Sequence, residues 1–396
     1  MKKWMLVLVA LFVSVSAFSQ SCLDDVWQCL RSNQVPKAKK FMESCMAANP
    51  DNADVWLMQA NVNIQLYNYD LERQKKDPSV AARYPSALED AYASFLKAVE
   101  LDKNVTPKNG MLGAKEGQQL LAGPFEEKAR IAEDKGNYAE AINYFEKAAK
   151  CYELAQKKEN AAAMYYSTAI VYGKMNDNAN LEKMLEKCII TSPKRSVTAY
   201  IVLYDLYKQV NDTVKCGEIL GKAQKAFSDD ADHMAQLYDP LMDYYSMIGD
   251  NEKLMEIVDK AIATGNPVII PNCANYLSNA KSYAKAEQIL RDALAKDPQN
   301  FDLLKQMGYR YALEYYDLMD QRKVAMDNRK YDEANKIYQG PERKAAMENA
   351  HEWCQKAYAV NPDNLENNLI LREMKTLLQL EVPQELNDRI NARKQN

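Results

Sequence analysis

Two histidines in 396 residues leave this chain little room for the commonest kinds of site chemistry. Histidine is the usual transition-metal ligand and the side chain that titrates near neutral pH. The spacings that would substitute for it are missing as well. There is no Cys-x2-Cys, no His-Glu-x2-His, no Gly-x-Ser-x-Gly and no Gly-x-Gly-x2-Gly, so zinc, zincin, hydrolase-elbow and dinucleotide signatures are excluded. Basic excess is lacking too: 51 Lys and Arg stand against 55 Asp and Glu, a net charge of −4. Neutralising phosphates needs a basic surface, and no nucleic-acid partner is expected. Glycine is scarce at 12 residues while 47% of the chain is apolar, which excludes collagen-like and disordered chains.

Long apolar runs are confined to the start. Lys2 and Lys3 precede an apolar stretch from Trp4 to Val13, followed by Ser16, Ala17 and Ser19, the order of a secretory signal. Residues 1–19 are therefore expected to be removed, leaving Gln20 first. That removes two lysines and no acid, shifting the charge from −4 to −6. No later run reaches 18 apolar residues, so the mature chain should hold no membrane span. The expected location is the periplasm or cell envelope. Ser19-Gln20-Ser21-Cys22 lacks an aliphatic residue three before the cysteine, which makes an outer-membrane lipoprotein the less favoured alternative.

What the chain does have is repetition. A small residue, a large apolar one four later and a small one three after that recur eight times: Ala38/Met42/Cys45, Ala91/Phe95/Ala98, Ala141/Phe145/Ala148, Leu181/Leu185/Cys188, Cys216/Leu220/Ala223, Leu254/Val258/Ala261, Ala286/Leu290/Ala293 and Ala350/Cys354/Ala357. Offsets of four and three share one helical face. Pro50, Pro193, Pro298 and Pro362 each follow a closing residue by five, where proline stops a helix. A second helical pattern precedes most triples, as in Tyr165-x2-Thr168-Ala169-x2-Tyr172 and Leu304-x2-Met307-Gly308-x2-Tyr311. Turn chemistry separates the two, at Gly136-Asn137, Asn176-Asp177 and Gly249-Asp250. Each unit is a helix pair.

The pattern resembles the tetratricopeptide repeat, and Gly136 to Ala148 is its best copy here. Gln59, Asn63 and Lys128 depart from it by standing in usually apolar places. The resemblance implies an all-α, right-handed α-solenoid of antiparallel helix pairs, about eight repeats long. The array should cover residues 20–363, with capping helices over 364–396. Closing residues are 53, 50, 40, 35, 38, 32 and 64 apart. Against a repeat of about 34 residues, insertions fall near 69–84, read as a loop, near 104–123, and near 314–343, read as extended helices.

The resemblance also implies a groove lined by first helices. One residue past each core aromatic, and four beyond that, lie Tyr166 and Ile170, Ile201 and Asp205, Asp239 and Asp243, Pro271 and Asn275, Lys305 and Tyr309. The mixture, acidic in its middle, suits an extended peptide or protein segment with positive charge. The lysine and asparagine arrangement by which some relatives clamp a C-terminal carboxylate is not reproduced. The expected function is a non-catalytic protein-interaction scaffold without cofactor. The alternative is a glycan- or small-ligand-binding helical-repeat protein of the outer membrane, with the surplus tyrosines Tyr166, Tyr244, Tyr309, Tyr315 and Tyr316 as platforms. Tyr165, Tyr172, Tyr200, Tyr207, Tyr245 and Tyr311 are expected in the core, and His233, among aspartates, in solvent. Of eight cysteines, Cys22 and Cys45 lie equidistant from the first turn and could be bridged. Cys188, Cys216, Cys273 and Cys354 occupy packing positions. Asp212-Thr213-Val214 looks like an acceptor of some periplasmic O-glycosylation systems.

Overall fold

A computed structural model describes residues 22–107 and 111–394. The expected signal segment lies outside the described residues. Every regular element among them is an α-helix, and they divide into two compact units, the first ending at Ala199 and the second beginning at Tyr200. Each unit is a series of antiparallel helix pairs, the α-solenoid arrangement. The first holds α1 (22–31), α2 (Val35–Ala48), α3 (Ala53–Lys76), α4 (Ala87–Leu101), α5 (Ala114–Asp134), α6 (Tyr138–Leu154), α7 (Lys158–Lys174) and α8 (Asn178–Thr191). At the boundary begins α9 (Val197–Gln209). The second unit continues with α10 (Thr213–Ala226), α11 (Ala231–Met247), α12 (Asn251–Ala263), α13 (Ile270–Asn279) and α14 (Tyr283–Leu294). Then follow α15 (Phe301–Asp327), α16 (Tyr331–Gln339), α17 (Pro341–Val360), α18 (Leu365–Leu377) and α19 (Gln384–Lys394).

Local chemistry sets these boundaries. Asp177, Asp212, Asp250 and Asn300 accept the backbone N–H of the third residue beyond, at 3.1, 3.0, 3.1 and 3.2 Å. Such caps satisfy a donor that the helix itself leaves open. The triples then fill the core. All their members are buried except Ala293, which stays partly exposed. Burying one Phe or Leu side chain contributes about 1.5–3 kcal/mol, so each triple adds apolar stabilisation to its pair.

Turns between helices repeat one backbone device, a single residue in the left-handed region. Gly136 and Gly249 supply it, as do Asn33, Asn176 and Asn211, residues that tolerate it well. Arg329, between α15 and α16, has φ 60° with no such tolerance. Arg329→Gly is therefore expected to stabilise the protein by about 0.5–1 kcal/mol. A melting temperature that stays level or falls would show that the turn is not strained.

Buried polar side chains hold the segments expected to be insertions near 69–84 and 104–123. The segment near 69–84 is a loop only in its second half, because α3 continues to Lys76 and stops at Asp77-Pro78. Asp70, 3% exposed, accepts from Arg73 Nη1 at 3.1 Å and from the Tyr84 backbone N–H. Asn61 binds both the N–H and the C=O of Leu112, at 2.8 and 3.1 Å. The departures from the repeat pattern have partners too. Gln59 donates to Asn63 at 2.9 Å, and Lys128 pairs with Glu89 at 3.3 Å beneath the Tyr144 ring. Near 314–343 the extra length is helical, in the long α15 and in α16.

Candidate functional site

Three of the expected groove residues gather on successive first helices of the second unit. Asp205 lies on α9, and Asp239 and Asp243 on α11. Asp243 accepts from two donors on α9, Tyr204 Oη and Lys208 Nζ. Asp239 accepts from Asn272 Nδ2 of α13 at 2.8 Å. Burial raises the Asp205 carboxyl above its ordinary range, Lys208 pulls it back and Asp243 pushes it up again. Burial, then Asp243 and Asp239, raise Tyr276 of α13. The result is an anionic strip bordered by tyrosine, in which Lys208 is the cation bonded to Asp243. Side chains flanking the predicted positions complete it. Tyr204, Lys208, Asn272 and Tyr276 escape the sequence reading, although Lys208 lies one turn past Tyr204, as Tyr276 does past Asn272.

The other expected residues do not join that strip. Asn275 is half-buried and accepts from Asn279 Nδ2 of its own helix at 3.1 Å. Lys305 pairs with Glu366 of α18 at 3.0 Å, and the same carboxylate raises Tyr309 beyond what burial does. Ile201 is half-buried on α9. Tyr166 and Ile170 belong to the first unit, where Tyr166 borders a hollow of about 360 Å³ with Glu126, Arg130, Asn160 and Arg195.

Several packing expectations need correction. Tyr165, Tyr200, Tyr207 and Tyr311 are buried, whereas Tyr172 and Tyr245 are only half-buried. Tyr245 is overlaid by Lys253 and lies 5.3 Å from Tyr244. Tyr315, counted as surplus, is 7% exposed and packs edge-on against Tyr316. His233 keeps part of its side chain in solvent, while its ring stacks on Phe227 at 4.9 Å and its Nδ1 contacts the capping residue Asp230. Asp212 serves as the α10 cap, with Thr213 exposed beside it.

Cysteines divide into a bridge and a set of packing residues. Cys22 and Cys45 are joined in a disulfide with Cα atoms 5.9 Å apart. Cys29, Cys151, Cys188, Cys216, Cys273 and Cys354 are free and buried. Burial pushes the Cys151, Cys273 and Cys354 thiols up to about 12, which removes nucleophilic thiolate at neutral pH. Among the described residues no three His, Cys, Asp or Glu side chains form a group able to hold a metal ion. His351 is half-buried, and burial lowers its pKa.

No protein-family model matches the chain, and no curated protein does. Solved structures overlap it in part. The Pseudomonas aeruginosa pilF structure shares 12% identity at TM-score 0.28, over 62% of this chain and 91% of its own. Yeast Tom70 shares 13% at TM-score 0.38, over 92% of this chain and 89% of its own. Human IFIT1, a dimer with m7Gppp-AAAA, shares 15% at TM-score 0.38, over 83% and 66%. Overlaps of this size assign the chain neither a family nor a partner.

Proposed function

We propose that this chain is a non-catalytic interaction scaffold of the cell envelope, and that it holds a positively charged peptide or protein segment along α9, α11 and α13. One observation carries the proposal: Asp205, Asp239 and Asp243 lie on neighbouring first helices, and an internal cation, Lys208, is bonded to Asp243. Opposite charge across an interface steers encounter and fixes register more than it adds raw affinity. Tyr276, partly exposed on α13, supplies rigid amphipathic area of the kind that recognition surfaces favour. The signal-like start supports export.

Crosslinking in intact cells followed by mass spectrometry tests this. The wild-type chain should recover a protein partner, and Asp239→Asn/Asp243→Asn should reduce recovery about tenfold, the loss expected for two charge contacts. Recovery of no protein partner, or undiminished recovery by the double variant, would defeat the proposal. The intact mass of the mature chain adds an independent check on location. A Gln20 start with an intact bridge is expected, whereas an acylated Cys22 would require the bridge to be absent, because one sulfur cannot serve both.

A further inference from the structure

The connection between α12 and α13 leaves an opening at the edge of the helix stack. Gly265 turns the chain there with φ +67°, and Val268 stands 80% exposed on the rim. Opposite it run α14 and the start of α15. The hollow between them measures about 530 Å³, within the ordinary range of binding pockets. Its floor is apolar: Ile270 and Leu303 are buried, and Ile262 and Ile289 are partly exposed into it. Ala293 is part of this floor, and it is the single triple member that the fold leaves uncovered. The closing residues of the other seven triples are buried. Here the packing face of a repeat opens outward.

The rim has a sign. Asp292, Asp297 and Asp302 border the hollow with one cation, Lys296. Asp292 accepts from the neutral amide of Gln288 at 2.9 Å, and Asp297 from that of Asn300 at 3.0 Å. Neutral donors leave the negative charge uncompensated. An apolar floor beneath an anionic rim is complementary to an aliphatic side chain flanked by lysine or arginine. We infer that this hollow is a second docking site, separate from the α9/α11/α13 strip and independent of it, for a basic protein segment that inserts a leucine-like side chain.

Fluorescence anisotropy on the mature chain with labelled peptides tests the inference. Lys-Leu-Lys-Leu-Lys should bind, and Lys-Ser-Lys-Ser-Lys and Glu-Leu-Glu-Leu-Glu should bind at least about tenfold more weakly. Asp297→Asn/Asp302→Asn should weaken the Lys-Leu peptide about tenfold. Ala293→Leu, which fills the floor and keeps every charge, should weaken it to a similar degree. Since that variant could disturb α14, Val268→Ser provides a rim substitution that leaves the core alone and should also weaken binding. Binding of the Lys-Ser peptide as strong as that of the Lys-Leu peptide would reduce the effect to non-specific charge and overturn the inference. So would indifference to both Ala293→Leu and Val268→Ser. Loss of binding only in Asp239→Asn/Asp243→Asn would place the peptide on the other strip and overturn the inference as well. A homodimer seen by sedimentation, dissolved by Asp297→Asn/Asp302→Asn, would make a second copy the occupant and overturn the choice of partner.

Discussion

Phe95→Ala is expected to lower stability by about 3–5 kcal/mol, the cost of emptying a close-packed aromatic site. Phe95 is fully buried as the large member of its triple on α4. Its ring lies against α5 where a side chain would otherwise be, since a Cβ on Gly117 would meet Phe95 Cζ at 2.0 Å. Gly117→Leu should therefore destabilise by about 3 kcal/mol, because an overfilled contact has to separate the two helices. The pair must be coupled. Phe95→Ala/Gly117→Leu should cost less than the sum of the single changes by at least about 1 kcal/mol, as the leucine enters the vacated space. Urea melts of the three variants measure this, and costs that simply add would show that ring and glycine do not set the spacing of α4 and α5.

Removing the disulfide should have an effect of similar size. The bridge joins residues 23 apart, closing a loop for which chain-entropy estimates give about 3 kcal/mol. Cys22→Ala/Cys45→Ala is the suitable variant, since Cys45 is fully buried and a serine there would bury an unpaired hydroxyl. The loss should concentrate in α1 and α2, whose shared core contains Val26, Val35, Ala38 and Met42. Contacts in repeat stacks are made between neighbours, so distant pairs should keep their protection. Hydrogen exchange resolved by helix would check this. Exchange that rises uniformly along the chain, or a melt unchanged by the variant, would count against the bridge as a local staple.

How much of this was legible in the sequence differs by kind of interaction. The helix pairs were, because a triple such as Ala141/Phe145/Ala148 carries its whole meaning within seven residues. The anchors of the insertions were not. Asn61 and Leu112 are 51 positions apart, and nothing distinguishes an asparagine that binds a distant backbone from one that faces water. Asp70 has the same ambiguity, with the Tyr84 backbone as its partner. The anionic strip was half legible: the period that places Asp239 and Asp243 on one face of α11 is visible, but the cross-helix contacts of Tyr204 and Lys208 arise only when α9 packs beside α11. Lys305 shows the limit of extrapolating a period. The pattern puts it in line with the strip, yet Glu366 from α18 neutralises it.

The six free thiols have a further consequence. They are spread over α1, α6, α8, α10, α13 and α17, roughly one to a helix pair. An alkylating reagent can reach such a sulfur only when its own pair opens, and for Cys151, Cys273 and Cys354 a pKa near 12 leaves the closed form almost without thiolate. Each cysteine is thus a built-in clock for the opening of the helix pair that contains it. Labelling the native protein and locating the modified residues by mass would rank the pairs by how often they open, without a single engineered probe.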